Sequence, residues 1–222
     1  MAIRQMTLED IERVSELCLT SFMGAVAGTL SDEGVATFTN IASIEAFKKR
    51  MQENNTWFVY ECTAENTTSS ELVYQTCPVE KRIMGVLELK ENKHISMLFV
   101  CPSAQRQGVG RALIAAACQH VWQDQTQVQT GSLQVDNPQV DSPQVDNPQG
   151  NSLQGDRVSQ CEPLTVSASL TSVPAYLRYG FKVAGEIAES EGLTFRPMTL
   201  DLRMDMKIDI GIDVSTDTDV SM

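Results

Sequence analysis

Residues 94–120 read His94-Ile-Ser-Met-Leu-Phe-Val-Cys-Pro-Ser-Ala-Gln-Arg-Gln-Gly-Val-Gly-Arg-Ala-Leu-Ile-Ala-Ala-Ala-Cys-Gln-His120. The first seven residues form an apolar run of strand length, which ends near Pro102 because proline cannot donate to a sheet ladder. A polar loop, 105–110, follows, and an alanine-rich helix begins directly after it. The stretch therefore predicts a strand, a glycine-containing loop and a helix, in that order.

The start of this helix is suited to binding an anion. The first turn of a helix has unpaired N–H groups and the positive end of the helix dipole. Gly108 and Gly110 allow an anion to approach that backbone closely. A Rossmann loop would need glycine where Leu113 stands, and the Gly-Lys-Ser/Thr of a Walker loop is absent. The sequence therefore predicts a phosphate or pyrophosphate site of a different kind.

Two stretches resemble one known family. Gln105-x-x-Gly108-x-Gly110, after a strand ending in Leu98-Phe99-Val100, resembles the coenzyme A signature of the GNAT (GCN5-related) N-acetyltransferases, Gln/Arg-x-x-Gly-x-Gly/Ala. Residues 167–181 are similar to a second family pattern, in which a strand, a small polar turn and a helix lead to Tyr-x-x-x-Gly-Phe. The alternative for the first stretch is an ordinary glycine-containing connection, and the second match disfavours it.

The resemblance implies an α/β GNAT fold, with a mixed, mostly antiparallel central sheet that is flanked by helices and splayed at the cofactor site. It covers residues 3–123 and 163–206, so we predict a single domain over 1–123 and 163–206. The residue pattern predicts helices at 11–22, 44–53 and 173–179, and strands at 3–4, 57–62, 82–89, 94–100, 163–169, 181–187 and 195–206, with a further short strand possible at 72–74. It assigns no structure to residues 23–42, a region that often lies over the acceptor site in the family that the chain resembles.

Residues 124–162 interrupt the two family matches. They contain a five-residue repeat, Val-Asp-Asn/Ser-Pro-Gln, whose period is too short for a helical solenoid unit. Pro138, Pro143 and Pro148 oppose both helix and strand. We predict a disordered low-complexity insertion, with a partner-binding tether as the alternative. Residues 207–222 are predicted to be an acidic C-terminal tail.

Composition limits the possible partners. The net charge is −12, of which −5 lies in residues 124–162 and −4 in residues 205–222, so most of the acidity is outside the predicted domain. Nucleic-acid binding needs a basic surface and is not expected. No apolar run is long enough to cross a membrane, and none of the six cysteines has CxxC spacing. We expect a cytoplasmic protein with reduced thiols and no metal, as a monomer or a homodimer.

The resemblance also implies that acetyl-coenzyme A is the cosubstrate and that the end of the strand binds its pantetheine amides. In the family the strand splays from its neighbour at a bulge near Phe99-Val100, its freed backbone groups pair with the pantetheine amides, and the Val100 N–H or one beside it polarises the acetyl carbonyl. The predicted cofactor-binding residues are Leu98, Phe99, Val100, Gln105, Arg106, Gln107, Gly108, Val109, Gly110 and Arg111.

The catalytic residues follow from the resemblance less completely. Tyr176 resembles the family's general acid, which protonates the departing thiolate, and Tyr179 is its competitor. Many relatives carry a glutamate as base where this chain has Ser96. Glu88, His94 and a water held by Ser96 or a backbone carbonyl stay open as the base.

We therefore expect an N-acetyltransferase that moves an acetyl group to an amine of a small molecule or a peptide by direct attack. A noncatalytic coenzyme A-binding sensor is the alternative, because Ser96 cannot act as a base near neutral pH. An interaction protein that works through its repeat is a third possibility.

Overall fold

The computed structural model describes residues 2–62, 82–131 and 162–202. Its elements are β1 (Ala2–Gln5), α1 (Ile11–Ala25), α2 (Asp32–Ile41), α3 (Ile44–Arg50), β2 (Asn55–Cys62), β3 (Arg82–Lys90), β4 (His94–Val100), α4 (Val109–Gly131), β5 (Leu164–Ser169), α5 (Val173–Arg178), β6 (Lys182–Val183), β7 (Ala188–Ser190) and β8 (Leu193–Leu200). In these ranges no helix combines the length and apolar character needed to cross a membrane.

The strands of the described part of the chain form one sheet in the order β1-β2-β3-β4-β5-β8-β6, with β7 also paired to β8. Neighbouring strands run antiparallel except β4 and β5, which are parallel. The β4–β5 ladder contains only two residue pairs, His94 with Thr165 and Ile95 with Val166. The predicted fold class, a mixed and mostly antiparallel sheet flanked by helices, is confirmed.

Successive side chains of a strand point to opposite faces of the sheet, so each face has side chains that pack against helices. On one face, Val14, Cys18 and Phe22 of α1 and Phe47 of α3 bury apolar side chains against the sheet. On the other face, α4 supplies a helical row that packs against β2, β3 and β4; its fully buried members are Leu113, Ala117 and Val121. The sheet therefore lies between two layers of helices, and its splayed region lies between these layers.

A charge cluster fixes the N-terminus. Thr7 precedes a short 3-10 turn at Leu8–Asp10, and α1 begins after it. The Thr7 N–H donates to the Asp10 carboxylate at 2.8 Å, and both ends of the Arg4 guanidinium donate to the same carboxylate. Arg4 also pairs with Glu61 on β2. The hydrogen bonds from Arg4 make the largest contribution, and together with those from Thr7 they lower the pKa of Asp10 to about 2.

Several predicted boundaries differ from the structure. Residues 23–42, to which no structure was assigned, contain α2. Helix α4 continues beyond the predicted domain boundary at 123 to Gly131, since no proline or glycine interrupts it earlier. The predicted strand 181–187 is reduced to β6, and β8 begins at Leu193. The possible strand at 72–74, residues 132–161 of the insertion, the end of the last predicted strand and the tail lie outside the described residues.

Candidate active site

The splay of the sheet begins at a β-bulge on β4. Glu88 faces Met97 and Leu89 faces Ile95, so Ser96 is an extra residue in β4. A bulge bends its strand, and the pairing of β4 with β5 stops at Ile95, just before it. The separation of the two strands was predicted at Phe99-Val100. The strands separate three residues earlier, so among the described residues the rest of β4 has no neighbouring strand on that side.

The backbone of β4 presents two residues to this gap. The Cys101 N–H donates to the Met84 carbonyl at 2.8 Å, and antiparallel strands alternate between residues that bond their neighbour and residues that face away. Phe99 therefore bonds toward β3, whereas Leu98 and Val100 direct their N–H and C=O groups toward the gap. Two side chains already donate to the Val100 carbonyl, Ser21 Oγ at 3.2 Å and Gln105 Nε2 at 3.3 Å.

Phe99 differs from its two neighbours on β4 in the direction of its backbone groups. Its peptide groups are used within the sheet. Its ring lines the cavity from the face covered by α1 and α2, with its centroid 5.3 Å from that of Phe38.

A cavity of about 1150 Å³ fills the gap between β4 and β5 and continues to both faces of the sheet. At one end it is lined by the loop before α4, by the first turn of α4 and by α5. At the other end, which we call the acceptor end, it is lined by α1, α2 and the turn between β7 and β8. One continuous cavity therefore runs from the predicted phosphate loop through the sheet.

The phosphate loop has the geometry that its glycines predict. Gly108 has a φ of +86°, a conformation that favours glycine, and α4 begins at the next residue. The Ala112 N–H donates to the Gly108 carbonyl, so the N–H groups of the intervening first turn are available to a ligand. Gly110 leaves room for a neighbour: a Cβ there would lie 2.5 Å from the Tyr179 hydroxyl.

The predicted loop residues divide into two groups. The first group lines the cavity: Gln105, Arg106, Gly108, Val109, Gly110 and Arg111. Gln107 instead donates from Nε2 to the Ser103 carbonyl at 2.8 Å and braces the loop. Arg111 also bonds the Arg178 carbonyl at 3.1 Å, which ties α4 to α5. A helix start, two glycines and cavity-lining arginines fit a pyrophosphate of a bound coenzyme A.

Tyr176 lines the cavity from α5. Its ring is buried and packs edge-on against Phe181 and Tyr179, at centroid distances of 5.2 and 6.1 Å. Burial raises the pKa of the Tyr176 phenol well above its usual range, so the hydroxyl stays protonated at neutral pH. Helix α5 ends as predicted, with Gly180 at a φ of +95°.

The two charged candidates for the base do not line this cavity. Glu88 is 1 % exposed and accepts hydrogen bonds from Arg50 Nε at 3.1 Å and Asn55 Nδ2 at 2.9 Å. Burial raises the pKa of Glu88 to about 7, in spite of Arg50. His94 lies at the other end of β4, 2.8 Å from the Thr165 hydroxyl, and burial lowers the pKa of its imidazole.

Ser96, at the bulge, does line the cavity. Ser96 and Tyr176 therefore border the same space, whereas Glu88 and His94 do not. Within the described residues, no group of three or more His, Cys, Asp or Glu side chains is placed to hold a metal ion.

The acceptor end contains residues that the sequence analysis did not identify. Phe22 of α1 and Phe38 of α2 stack at a centroid distance of 3.9 Å, and Leu30 and Ile41 line the same end. The start of α2 carried a usable signal: Ser31 precedes Asp32 and Glu33, and its side chain accepts from the Gly34 N–H at 3.3 Å. Nothing local to the sequence indicates that α2 borders a cavity.

Two glycines bring α2 against the turn between β7 and β8. A Cβ on Gly34 would lie 2.1 Å from the Gly192 carbonyl oxygen, and a Cβ on Gly192 would lie 2.4 Å from the Gly34 nitrogen. Gly192 also has a φ of +75°. Because both elements line the acceptor end, this backbone contact closes one side of it.

Solved structures with a similar fold include a GCN5-related N-acetyltransferase, "Aminotransferase, Class-II", from Rhodopseudomonas palustris (18% identity, TM-score 0.55, covering 90% of this chain and 94% of that one). They also include the PaiA N-acetyltransferase from Thermoplasma acidophilum in complex with coenzyme A (18% identity, TM-score 0.52, covering 90% and 98%). YjaB from Escherichia coli, in its apo form, is similar too (16% identity, TM-score 0.52, covering 90% and 96%). At these identities the likeness shows the fold alone.

No curated protein matches the chain. A family model described as "Acetyltransferase (GNAT) domain" matches residues 26–141 and 151–202, which is more than half of the chain and includes the phosphate loop, the β4 bulge and α5. The chain therefore belongs to the GNAT family of acetyltransferases.

Proposed function

We propose that the protein is an N-acetyltransferase that moves an acetyl group from acetyl-coenzyme A to an amine by direct attack. The observation that carries this proposal is the gap between β4 and β5. Its edge offers the backbone groups of Leu98 and Val100, and it leads to the first turn of α4.

The gap supports binding of acetyl-coenzyme A in an extended conformation. A pantetheine arm contains amides, which pair with a free strand edge as another strand would. The first turn of α4 would hold the pyrophosphate through its N–H groups, with Arg106 and Arg111 adding positive charge at that end of the cavity. We propose that the Val100 N–H at the same edge donates to the acetyl oxygen and stabilises the charge that develops there.

The reaction balances with the residues that line the cavity. The amine nitrogen forms a bond to the acetyl carbon, the C–S bond breaks, and its electron pair leaves with sulfur as a thiolate. Tyr176 donates its proton to the thiolate and regains one from solvent, which restores the phenol. Because Glu88 and His94 lie outside the cavity lining, we assign the proton lost by the amine to a water held by Ser96, which passes it to solvent.

A coenzyme A-binding sensor is the second candidate, and one observation favours it. No carboxylate or imidazole among the predicted bases reaches the cavity, so the described residues hold no strong base at the β4 bulge. Turnover of acetyl-coenzyme A with a panel of primary amines, read as free thiol release, decides between the two. Amine-dependent release supports the enzyme, whereas tight binding by calorimetry without release with any amine supports the sensor.

A further inference from the structure

The acceptor end of the cavity differs in chemistry from the cofactor end. Among the described residues that line the cavity, the basic ones are Arg106, Arg111 and Arg178, which lie on the phosphate loop, α4 and α5. The one acidic residue among them is Glu191, which lies in the turn between β7 and β8 at the acceptor end. Positive and negative charge are therefore separated along the cavity.

Aromatic and aliphatic side chains form most of the acceptor end. The rings of Phe22, Phe38 and Phe99 are in mutual contact through Phe38, at centroid distances of 3.9 and 5.3 Å. The remaining apolar members are Ala25, Val26, Leu30, Ile41, Leu193 and Phe195. A surface of this kind gains free energy by covering an apolar body and loses it by covering a charged or strongly hydrated one.

The contact between Gly34 and Gly192 limits the size of the occupant. Helix α2 and the β7–β8 turn meet backbone to backbone beside the acceptor end. A chain that continued through the cavity on that side would have to separate them, whereas a small molecule or a peptide end would not.

We propose that the acceptor is a small free amine whose ammonium group is attached to an aromatic or branched aliphatic body. The proposal deepens the proposed acetyl transfer and rests on it. The half-buried Phe99, supported by the buried ring of Phe38, covers the apolar body together with Leu30 and Leu193, and Glu191 attracts the ammonium form as it enters. A polyamine is disfavoured, because it would need several carboxylates and the described lining offers one.

The test measures kcat/KM at saturating acetyl-coenzyme A with 2-phenylethylamine, spermidine and the peptide Phe-Gly-Gly. We expect 2-phenylethylamine to exceed spermidine by roughly tenfold or more, the scale on which an apolar pocket discriminates. Equal or faster turnover of spermidine would overturn the apolar acceptor while leaving acetyl transfer intact. A preference for Phe-Gly-Gly would overturn the small free amine in favour of a peptide end. If no amine is turned over although coenzyme A binds, the proposed function itself fails.

Two variants test whether residues of the acceptor end determine the KM for the amine. Phe38→Leu keeps an apolar side chain but removes the central ring, so KM for 2-phenylethylamine should rise several-fold with coenzyme A affinity unchanged. Glu191→Gln, at an exposed turn, should raise the KM of each amine and reduce its dependence on salt. Met23→Ala is the matched control, because Met23 is exposed on α1 beside Phe22 and does not line the cavity. A wild-type KM in both Phe38→Leu and Glu191→Gln would contradict the proposal.

Discussion

At the scale of single residues, the hydroxyl of Tyr176 is the group whose removal tests the chemistry most directly. Tyr176→Phe keeps the ring that packs against Phe181, so the fold and coenzyme A affinity should change little. If this hydroxyl protonates the thiolate, kcat should fall by roughly 100-fold or more. Steady-state kinetics with the best amine provide the measurement, and an unchanged kcat would make Tyr176 a packing residue.

The neighbouring Tyr179→Phe is the control for this experiment, with a different expectation. The Tyr179 hydroxyl lies against Gly110 at the start of α4, and Tyr179 lines the same cavity as Tyr176. Its loss should leave kcat at saturating acetyl-coenzyme A near wild type, and any effect should appear in coenzyme A affinity. A fall in kcat with Tyr179→Phe alone would exchange the roles of the two tyrosines.

The phosphate loop gives the second residue-scale prediction. Gly108→Asp places a side chain at a φ of +86° and a negative charge beside the first turn of α4. Gly110→Asp adds the same charge and displaces the Tyr179 hydroxyl. Each should abolish detectable coenzyme A binding in calorimetry. Glu12→Gln, a charge change at an exposed site of α1, is the control and should bind coenzyme A as the wild type does. Wild-type binding by either glycine variant would contradict the assignment of the phosphate loop.

At the scale of elements, the seating of α2 depends on the absence of a side chain at Gly34. Gly34→Ala forces a Cβ against the Gly192 backbone, which cannot rotate away as a side chain can. We expect a loss of about 1–3 kcal/mol of stability from this overpacking, and a higher amine KM. Thermal unfolding and amine saturation curves measure the two effects. Gly28→Ala, where a Cβ meets nothing within 4 Å, is the matched control and should be close to wild type in both.

The elements also show which features the sequence could predict. The strand, loop and helix of 94–131 follow from local signals: an apolar run, a proline, two glycines and an alanine-rich helix. The end of α5 follows from Gly180 in the same way. The bulge at Ser96 does not, because it depends on the register between β3 and β4, and that register is set only when the sheet forms.

The position of α2 was missed for a related reason. Its helical signal was weak, and its place beside the cavity depends on a contact with Gly192, about 160 residues later in the chain. The exclusion of Glu88 from the cavity is likewise a tertiary fact, since Arg50 and Asn55 hold it behind the strand. The cofactor end was therefore readable from motifs, whereas the acceptor end was not.

At the scale of the whole molecule, the repeat insertion should be dispensable for folding. Because α4 continues to Gly131, we would replace 132–160 with a short Gly/Ser linker. The cost of closing a loop changes slowly with its length, so thermal stability and coenzyme A affinity should stay near those of the wild type. A large fall in the melting temperature would show that the repeat packs on the domain, and lost activity with retained stability would favour the tether.

Acid stability should depend on the cluster that joins β1, the start of α1 and β2. The folded pKa of Asp10, about 2, lies below its ordinary value of 3.8, so its stabilising contribution is present above that ordinary value. The contribution is lost as the pH falls from about 4 toward 2. Asp10→Asn should therefore cost roughly 1–2 kcal/mol in urea unfolding at pH 7 and much less near pH 2. An equal cost at both pH values would contradict the linkage.

The two residue pairs between β4 and β5 have a consequence for how the molecule holds together. They are the only ladder pairs that join the β1–β4 half of the described sheet to the half that contains β5 to β8. A ligand bound along the free edge of β4 would act as a missing strand and connect the two halves. Cofactor binding would then be coupled to the association of the two halves of the sheet. A higher concentration of the cofactor would hold the two halves together more firmly.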